Sequence, residues 1–175
     1  MTTHYHVFET ELGYAAIAWN DAGVTRFNLP GPKEIVTNRL GSATPAEPPT
    51  QIAAIVDQAR RYFAGERIDF DAIGLDLSSV DPFRRSIYDA LRKVAFGETV
   101  TYGELAKRIG ANEPQAAQDV GVAMARNPVP LIIPCHRVLA AGGKLGGFSA
   151  PGRTETKQKM LALEGVFIGN HPRLL

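Results

Sequence analysis

The stretch over residues 127–138 constrains the chain most strongly. It contains Cys135, the only cysteine among 175 residues, with Pro134 directly before it and His136 and Arg137 directly after it. A lone cysteine is most often a small buried apolar residue. A core position, however, needs neither a proline that breaks a strand nor two polar residues directly afterwards. Because the thiolate is the reactive form and nearby positive charge lowers the pKa of a thiol, this stretch predicts a nucleophilic cysteine.

Length and composition predict one or two small globular domains, since 45% of the residues are hydrophobic and 21% are charged. A single cysteine excludes an internal disulfide framework and fits a reducing compartment, so a cytoplasmic location is expected. No basic and apolar leader opens the chain and no apolar run approaches the length of a membrane span, so no membrane partner is expected.

The two halves of the chain differ in charge. Residues 1–77 carry six basic and ten acidic residues, a net charge of −4, whereas residues 78–175 carry thirteen and eight, a net charge of +5. The half that contains the cysteine is therefore the basic half. This agrees with an anionic partner such as DNA, although chance scatter of surface charge is the alternative.

Residues 1–77 predict a small N-terminal sheet domain without catalytic residues. Strands are expected over residues 5–8, 13–19 and 24–27, followed by a helix over 33–40, a loop over 41–49, a helix capped by Thr50 and a strand over 68–70. His4 and His6 form a pair that solvated strand residues explain better than a metal does, so no metal site is expected.

Residues 78–175 predict a second, mostly helical domain. Asp81 and Pro82 are typical of an N-cap and the first helical position, and Thr101 with Glu104 forms a capping box for another helix. A short connection then leads to a helix over 115–126, a pattern that fits a helix-turn-helix. An ordinary helical hairpin is the commoner explanation of this pattern taken alone. The expected fold class is α/β (α+β), with a small N-terminal sheet domain and a winged-helix-like C-terminal domain.

Two helices of this second domain carry features that bear on chemistry. The helix over 115–126 is rich in alanine and glycine, so it can approach either another helix or a narrow groove closely. The helix over 154–163 ends before Gly165 and brings Glu164 onto the face of Met160 and Leu161. A carboxylate is costly to bury without a partner, and His136 is the candidate. Since neighbours in an extended chain point to opposite sides, Cys135 and His136 would not meet unless the backbone turns. A bridging water is therefore expected between them rather than direct contact.

The sequence PCHR at residues 134–137, preceded by NP at 127–128 and II at 132–133, resembles the active-site signature of the O6-alkylguanine-DNA alkyltransferases. The resemblance covers about residues 81–165 and continues more weakly through the N-terminal part. It implies DNA repair by a methylated-DNA–[protein]-cysteine S-methyltransferase. Such a protein moves the alkyl group of O6-alkylguanine onto its own cysteine and is spent after one turnover. The implied partner is double-stranded DNA held through the minor groove. A monomer without cofactor or metal is expected.

The resemblance also implies roles for individual residues. In the catalytic relay, Glu164 orients His136, and His136 draws a proton from Cys135 through water. The residues implied to contact DNA or the lesion are Tyr102 at the flipped nucleotide, Ala117 and Gln118 on the recognition helix, Asn127 as a hinge, Met124, Pro130, Phe148 and Ser149 at the lesion pocket, and Arg137.

Two positions depart from the family pattern. Gln118 stands where the family usually has an arginine that enters the base stack, and Phe148 stands where many members have a tyrosine. A retained nucleophile with an altered helix leaves one alternative open: an alkyltransferase-like lesion-binding protein with weak or no duplex repair. A papain-like hydrolase would need a peptide cleft and an orienting Asn or Asp, and the adjacent Cys-His pair argues against it.

Overall fold

The computed structural model describes residues 1–145 and 153–168, and these divide into two compact units. One unit contains Met1–Val80 together with Pro128–Ile132, and the other contains Asp81–Asn127 and the chain from Ile133 onward. The elements, in chain order, are β1 (His4–Thr10), β2 (Gly13–Asn20), β3 (Gly23–Gly31), α1 (Lys33–Asn38), β4 (Thr44–Pro45), α2 (Thr50–Phe63), α3 (Pro82–Leu91), β5 (Val100–Thr101), α4 (Tyr102–Arg108), α5 (Ala116–Ala125), β6 (Val138–Leu139) and α6 (Arg153–Leu163).

The first unit is built on a four-stranded sheet with the order β3-β2-β1-β4. The first three strands are antiparallel neighbours, and β4 adds a short parallel pairing to β1. Strand β2 is central and is buried along most of its length. Alternate residues of a strand face opposite sides, so Ala16 and Ala18 pack beneath α1, and their neighbours face the other way.

Three expectations for this unit are wrong in detail. Residues 68–70 form no strand, although Ile68 and Phe70 are buried, because apolar side chains in an irregular segment can fill a core without joining a ladder. Thr50 is the first residue of α2 rather than its cap, and Pro49 occupies the cap position. The predicted loop over 41–49 contains the two-residue strand β4.

Pro128–Ile132 groups with the first unit, which the sequence did not indicate. The backbone N–H of Phe27 donates to the carbonyl of Pro128 at 3.0 Å. Within this segment Leu131 is buried and has a φ of 77°, a value that residues other than glycine rarely adopt. The segment therefore makes a sharp corner shortly before the cysteine.

The second unit is a cluster of helices whose starts follow the sequence signals. The carboxylate of Asp81 accepts the N–H of Arg84 at 2.9 Å and caps α3, and the hydroxyl of Thr101 accepts the N–H of Glu104 at 3.1 Å and caps α4. Helices α4 and α5 pack against each other and both contact α3, so the predicted pair of helices is present. The mixed fold class, with a small sheet and several helices, is confirmed.

Two short parallel strands place the cysteine segment inside this unit. Val100 and Thr101 of β5 pair with Val138 and Leu139 of β6, directly after the cysteine-containing turn. None of the helices in the part of the chain that the structure describes has the length and apolar character needed to cross a membrane.

Candidate active site

Cys135 begins a single turn of 3₁₀ helix, Cys135–Arg137, with Pro134 at the cap position. The Cys135 N–H donates to the carbonyl of Ile133 at 2.7 Å, which tightens the turn. The thiol is free of disulfide bonding and half-buried. The backbone turns at this point, so the geometry of an extended chain does not apply to Cys135 and His136.

His136 is buried against the carboxylate of Glu164. Only 3% of the histidine is exposed, and its Nε2 lies 2.5 Å from Glu164 Oε2. The sequence predicted this partnership because Glu164 follows α6 on the face of Met160 and Leu161, and all three residues are buried. Because Nε2 is engaged by Glu164, Nδ1 is the ring nitrogen that can exchange a proton with a neighbouring group.

Glu164 receives three further hydrogen bonds. Arg137 donates through Nε at 2.9 Å and through a terminal nitrogen at 3.2 Å, and the backbone N–H of Gly97 donates at 2.9 Å. A second terminal nitrogen of Arg137 donates to the carbonyl of Val94 at 2.7 Å. The sequence placed Arg137 among the residues that contact substrate. Its burial and its bonds to Glu164 favour a supporting role instead.

Burial and hydrogen bonding keep His136 neutral and Glu164 ionised. Burial lowers the pKa of His136 below its ordinary value, and the charges of Arg137 and Lys157 also lower it, against the opposing effect of Glu164. Burial opposes ionisation of Glu164, yet the bonds from His136, Arg137 and Gly97 hold the pKa of that carboxyl well below its usual range. Glu164 is therefore ionised and His136 is neutral at neutral pH.

These charge states fix the tautomer of the imidazole. An ionised carboxylate can only accept hydrogen bonds, so His136 must donate to it through Nε2–H. A neutral imidazole carries one ring proton, which leaves Nδ1 as a basic nitrogen. The buried pair thus presents a general base in the residue adjacent to Cys135.

The charge of Cys135 raises the pKa of two tyrosines, Tyr102 and Tyr88. Burial raises the pKa of Tyr102, and the negative charge of a Cys135 thiolate raises it further. Burial also raises the pKa of Tyr88. The charge of Arg84 lowers this pKa, and the charge of Cys135 raises it. Tyr102 was predicted as a site residue and lies at the first position of α4. Tyr88 was not predicted, because a tyrosine on an apolar helix face is usually a core residue.

Lys157 is a second residue that sequence reasoning missed. Only 5% of it is exposed, and its Nζ donates to the carbonyls of Val138 at 2.7 Å and Leu145 at 3.0 Å. Burial lowers its pKa to about 8, and the charge of Cys135 raises it. The signal was present, since residue 157 lies three, four and seven residues before 160, 161 and 164 on one helix face. A lysine at such a position is ordinarily solvated.

The residues of α5 that were predicted to contact DNA or the lesion lie on two faces of the helix. Ala117 and Gln118 are exposed, as residues that contact DNA must be. Met124 is 2% exposed and lies on the inner face, which favours packing over the predicted contact with the lesion. Asn127 follows the helix, and its side-chain amide donates to the carbonyl of Ile133 at 2.9 Å. Asn127 thus links the helix to the turn that contains Cys135.

Three predicted site residues remain. Pro130 belongs to the segment that groups with the N-terminal unit. Phe148 and Ser149 lie outside the described residues. The predicted lesion pocket therefore stays a prediction.

Comparison with known proteins identifies the family. Residues 82–166 match the family described as 6-O-methylguanine DNA methyltransferase, DNA binding domain. The chain is 39% identical over 160 residues to the methylated-DNA–protein-cysteine methyltransferase of Mycolicibacterium paratuberculosis, covering 91% of both chains. The solved Mycobacterium tuberculosis O6-methylguanine methyltransferase is 33% identical, with 97% of both chains covered and a TM-score of 0.73. A structure of Mycobacterium tuberculosis OGT in complex with DNA is 35% identical over 92% of both chains, with a TM-score of 0.74.

An N-terminal sheet unit, a helical unit and a cysteine beside a buried His-Glu pair define the class, a mixed α/β protein with a candidate nucleophile. The chain belongs to the methylated-DNA–protein-cysteine methyltransferase family. The resemblance inferred from the PCHR signature is thereby confirmed. These relatives bear the name of a transferase, which does not favour the alternative of a lesion-binding protein without transfer.

The buried ammonium of Lys157 predicts a distinctive pH dependence of stability. In the folded state it loses its proton near a pKa of about 8, whereas in the unfolded state it keeps the proton up to 10.5. Between these values the unfolded state binds more protons, so the contribution of Lys157 to the free energy of unfolding rises with pH. The expected slope is about 1.4 kcal/mol per pH unit. Urea denaturation of wild type and Lys157→Met between about pH 7 and pH 10 measures how the free energy of unfolding depends on pH.

In this experiment the stability of wild type should rise relative to Lys157→Met above about pH 8. Lys159→Met is the matched control, because Lys159 is exposed on the same helix, where it pairs with Glu155 at 3.2 Å. Its stability curve should run parallel to that of wild type. Parallel curves for wild type and Lys157→Met would show that Lys157 is not buried as an ammonium.

Proposed function

We propose that this chain repairs DNA by moving the alkyl group of O6-alkylguanine onto the Sγ atom of Cys135. The observation that supports this most directly is the buried contact between His136 Nε2 and Glu164. It makes the residue next to the only cysteine a neutral base of fixed tautomer. A cysteine kept only for packing would need no such neighbour.

The proposed reaction is a single displacement. The Cys135 thiol gives its proton to His136 Nδ1 through a water molecule, and the sulfur attacks the alkyl carbon. The bond between that carbon and guanine O6 breaks, and its electron pair stays on the guanine. The guanine then takes up a proton, so that the products are unmodified guanine and a thioether. A thioether offers no good leaving group, so each protein molecule acts once.

Glu164 contributes to this step by stabilising positive charge on the imidazole. When His136 accepts the thiol proton through Nδ1, it becomes an imidazolium in a buried site, which is unfavourable by itself. The ionised carboxylate at 2.5 Å offsets that cost. Arg137 and Gly97 hold the carboxylate in place and keep it ionised.

In our proposal, α5 enters the minor groove of double-stranded DNA. Its exposed residues are small or uncharged, namely Ala117, Gln118, Val122 and Ala125. The partly exposed residues Gly121 and Asp119 add one negative charge to this face. A helix face without long basic side chains suits a groove that is about 6 Å wide and carries little sequence information. Exposed Lys107, Arg108 and Arg126 at the ends of α4 and α5 are positioned to meet phosphates. Binding would depend on salt more than on sequence.

Gln118 would fill the space that a flipped guanine leaves in the duplex. Flipping costs a few kcal/mol of stacking and pairing, and an inserted side chain offsets part of it. Glutamine can occupy the gap and form hydrogen bonds, but it brings no charge and no planar guanidinium. One copy of the chain supplies the thiol, the relay and the helix, so the proposal requires only a monomer.

Substitution of Cys135 tests the acceptor. Incubation with a duplex that contains O6-methylguanine should add one methyl mass to wild type, on the peptide that contains Cys135, and then stop at one equivalent. Cys135→Ala should transfer nothing and should still bind the duplex, because a half-buried thiol contributes little to the fold. Intact-mass and peptide mass spectrometry measure transfer, and an unmethylated duplex is the control. Methyl transfer by Cys135→Ala would refute the assignment.

Substitution of Gln118 tests the flipping helix. Gln118→Arg should accelerate the single-turnover reaction with duplex DNA about tenfold, which corresponds to about 1.4 kcal/mol. The reaction with a free O6-alkylguanine base requires no flipping and should stay unchanged. Gln118→Arg should also tighten duplex binding, which fluorescence anisotropy measures.

A second variant separates insertion from added charge. Gln115→Arg adds the same charge at the exposed cap position of α5, three residues earlier. If insertion is the cause, Gln115→Arg should leave the ratio of the duplex rate to the free-base rate near that of wild type. Equal acceleration by both variants, or equal acceleration of both substrates by Gln118→Arg, would show that residue 118 does not enter the base stack.

A further inference from the structure

A side chain from another helix donates a hydrogen bond to a carbonyl at the C-terminal end of α5. The last carbonyls of a helix have no donors within the helix itself and need other partners. The carbonyl of Val122 accepts the N–H of Arg126 at 3.1 Å, and that of Met124 accepts the N–H of Asn127 at 3.3 Å. The carbonyl of Ala123 between them accepts the hydroxyl of Tyr88 on α3 at 2.7 Å.

This hydrogen bond lies deep in the second unit. Tyr88 and Ala123 are both 0% exposed, so water cannot replace the hydroxyl without opening the packing between α3 and α5. A buried carbonyl that loses its partner costs more than the hydrogen bond contributed. The phenol keeps its proton, because burial raises its pKa above the ordinary value. Tyr88 is therefore a permanent donor at this end of α5.

The same end of α5 is linked to the nucleophile. The backbone N–H of Asn127 binds Met124, and its side-chain amide donates to the carbonyl of Ile133 at 2.9 Å. The carbonyl of Ile133 also accepts the N–H of Cys135 at 2.7 Å. Hydrogen bonds thus connect the α5 terminus to the turn that contains Cys135, and Tyr88 fixes that terminus against α3.

We propose that Tyr88 is a positioning residue for the reaction on duplex DNA. Its hydroxyl holds the end of α5 and so fixes the position of the exposed helix face relative to the Cys135 turn. The inference rests on the proposed function, in which that face meets the DNA while Cys135 meets the flipped base. Gln118 lies five residues before Ala123, about 7.5 Å along the helix axis. A tilt at the α5 terminus is therefore carried to the position of Gln118.

Tyr88→Phe tests the proposal, because it keeps the buried ring and removes only the hydroxyl. The single-turnover rate with an O6-methylguanine duplex should fall about tenfold, the equivalent of one lost buried hydrogen bond. The rate with a free O6-alkylguanine base, which needs the Cys135 turn but no placement of α5 on a duplex, should fall less than the duplex rate. The measured quantity is the ratio of the two rates.

Tyr62→Phe is the matched control. Tyr62 is also 0% exposed, but it lies on α2 in the N-terminal unit. Loss of its hydroxyl should change the free energy of unfolding without changing the ratio of rates. Hydrogen exchange adds a local readout: in Tyr88→Phe, peptides that cover residues 123–127 should exchange faster, while peptides from α2 should not.

The outcomes separate this inference from the proposed function. If wild type transfers no alkyl group to Cys135 from either substrate, the proposed function fails. If wild type reacts and Tyr88→Phe slows both substrates equally, or neither, Tyr88 does not position the helix for duplex DNA. A tenfold loss on the duplex with a smaller loss on the free base, together with faster exchange over residues 123–127, supports the inference.

Discussion

The buried carboxylate of Glu164 is the interaction on which the candidate site depends. It lies against His136, Arg137 and the amide of Gly97, and so ties together the end of α6, the 3₁₀ turn and the segment after α3. A carboxylate in the interior is unfavourable unless its oxygens are hydrogen-bonded, and here both oxygens are. The interactions that stabilise the fold at this point are therefore the same ones that orient the imidazole.

The groups around Cys135 differ in charge and in exposure to solvent. Arg137 and Glu164 offset each other in charge, His136 is neutral, and the ammonium of Lys157 is coupled to the thiol. The base and its carboxylate are shielded from water, which strengthens their interaction. The thiol itself is half-buried and can be reached by a substrate. In the proposed reaction, this arrangement leaves the nucleophile open to the substrate while its base stays shielded.

The sequence predicted those features of the protein that depend on residues close together in the chain. The caps at Asp81 and Thr101 fixed two helix starts, and the helical spacing of Met160, Leu161 and Glu164 predicted a buried carboxylate with His136 as its partner. What it missed depends on contacts that are distant in the chain. Tyr88 acquires its partner 35 residues away, and Lys157 acquires carbonyls 12 and 19 residues away.

The errors in the fold have a similar cause. Residues 68–70 have the apolar pattern of a strand, but they fill a core without a ladder partner. The sequence predicted that Arg137 contacts substrate, whereas its bonds to Glu164 and the Val94 carbonyl occupy the guanidinium in the interior. Side-chain type predicts what a residue can do, whereas its partners, which only the fold supplies, decide what it does.

Glu164 holds His136 as a neutral base with its proton on Nε2. Nitrogen-15 NMR of the imidazole in selectively labelled protein tests this most directly, because the two ring nitrogens report both tautomer and charge. We expect a His136 signal of the neutral, Nε2-protonated form that persists as the pH falls through 6.5, the ordinary pKa of histidine. Titration of His136 near its ordinary pKa, or a proton on Nδ1 at neutral pH, would contradict it.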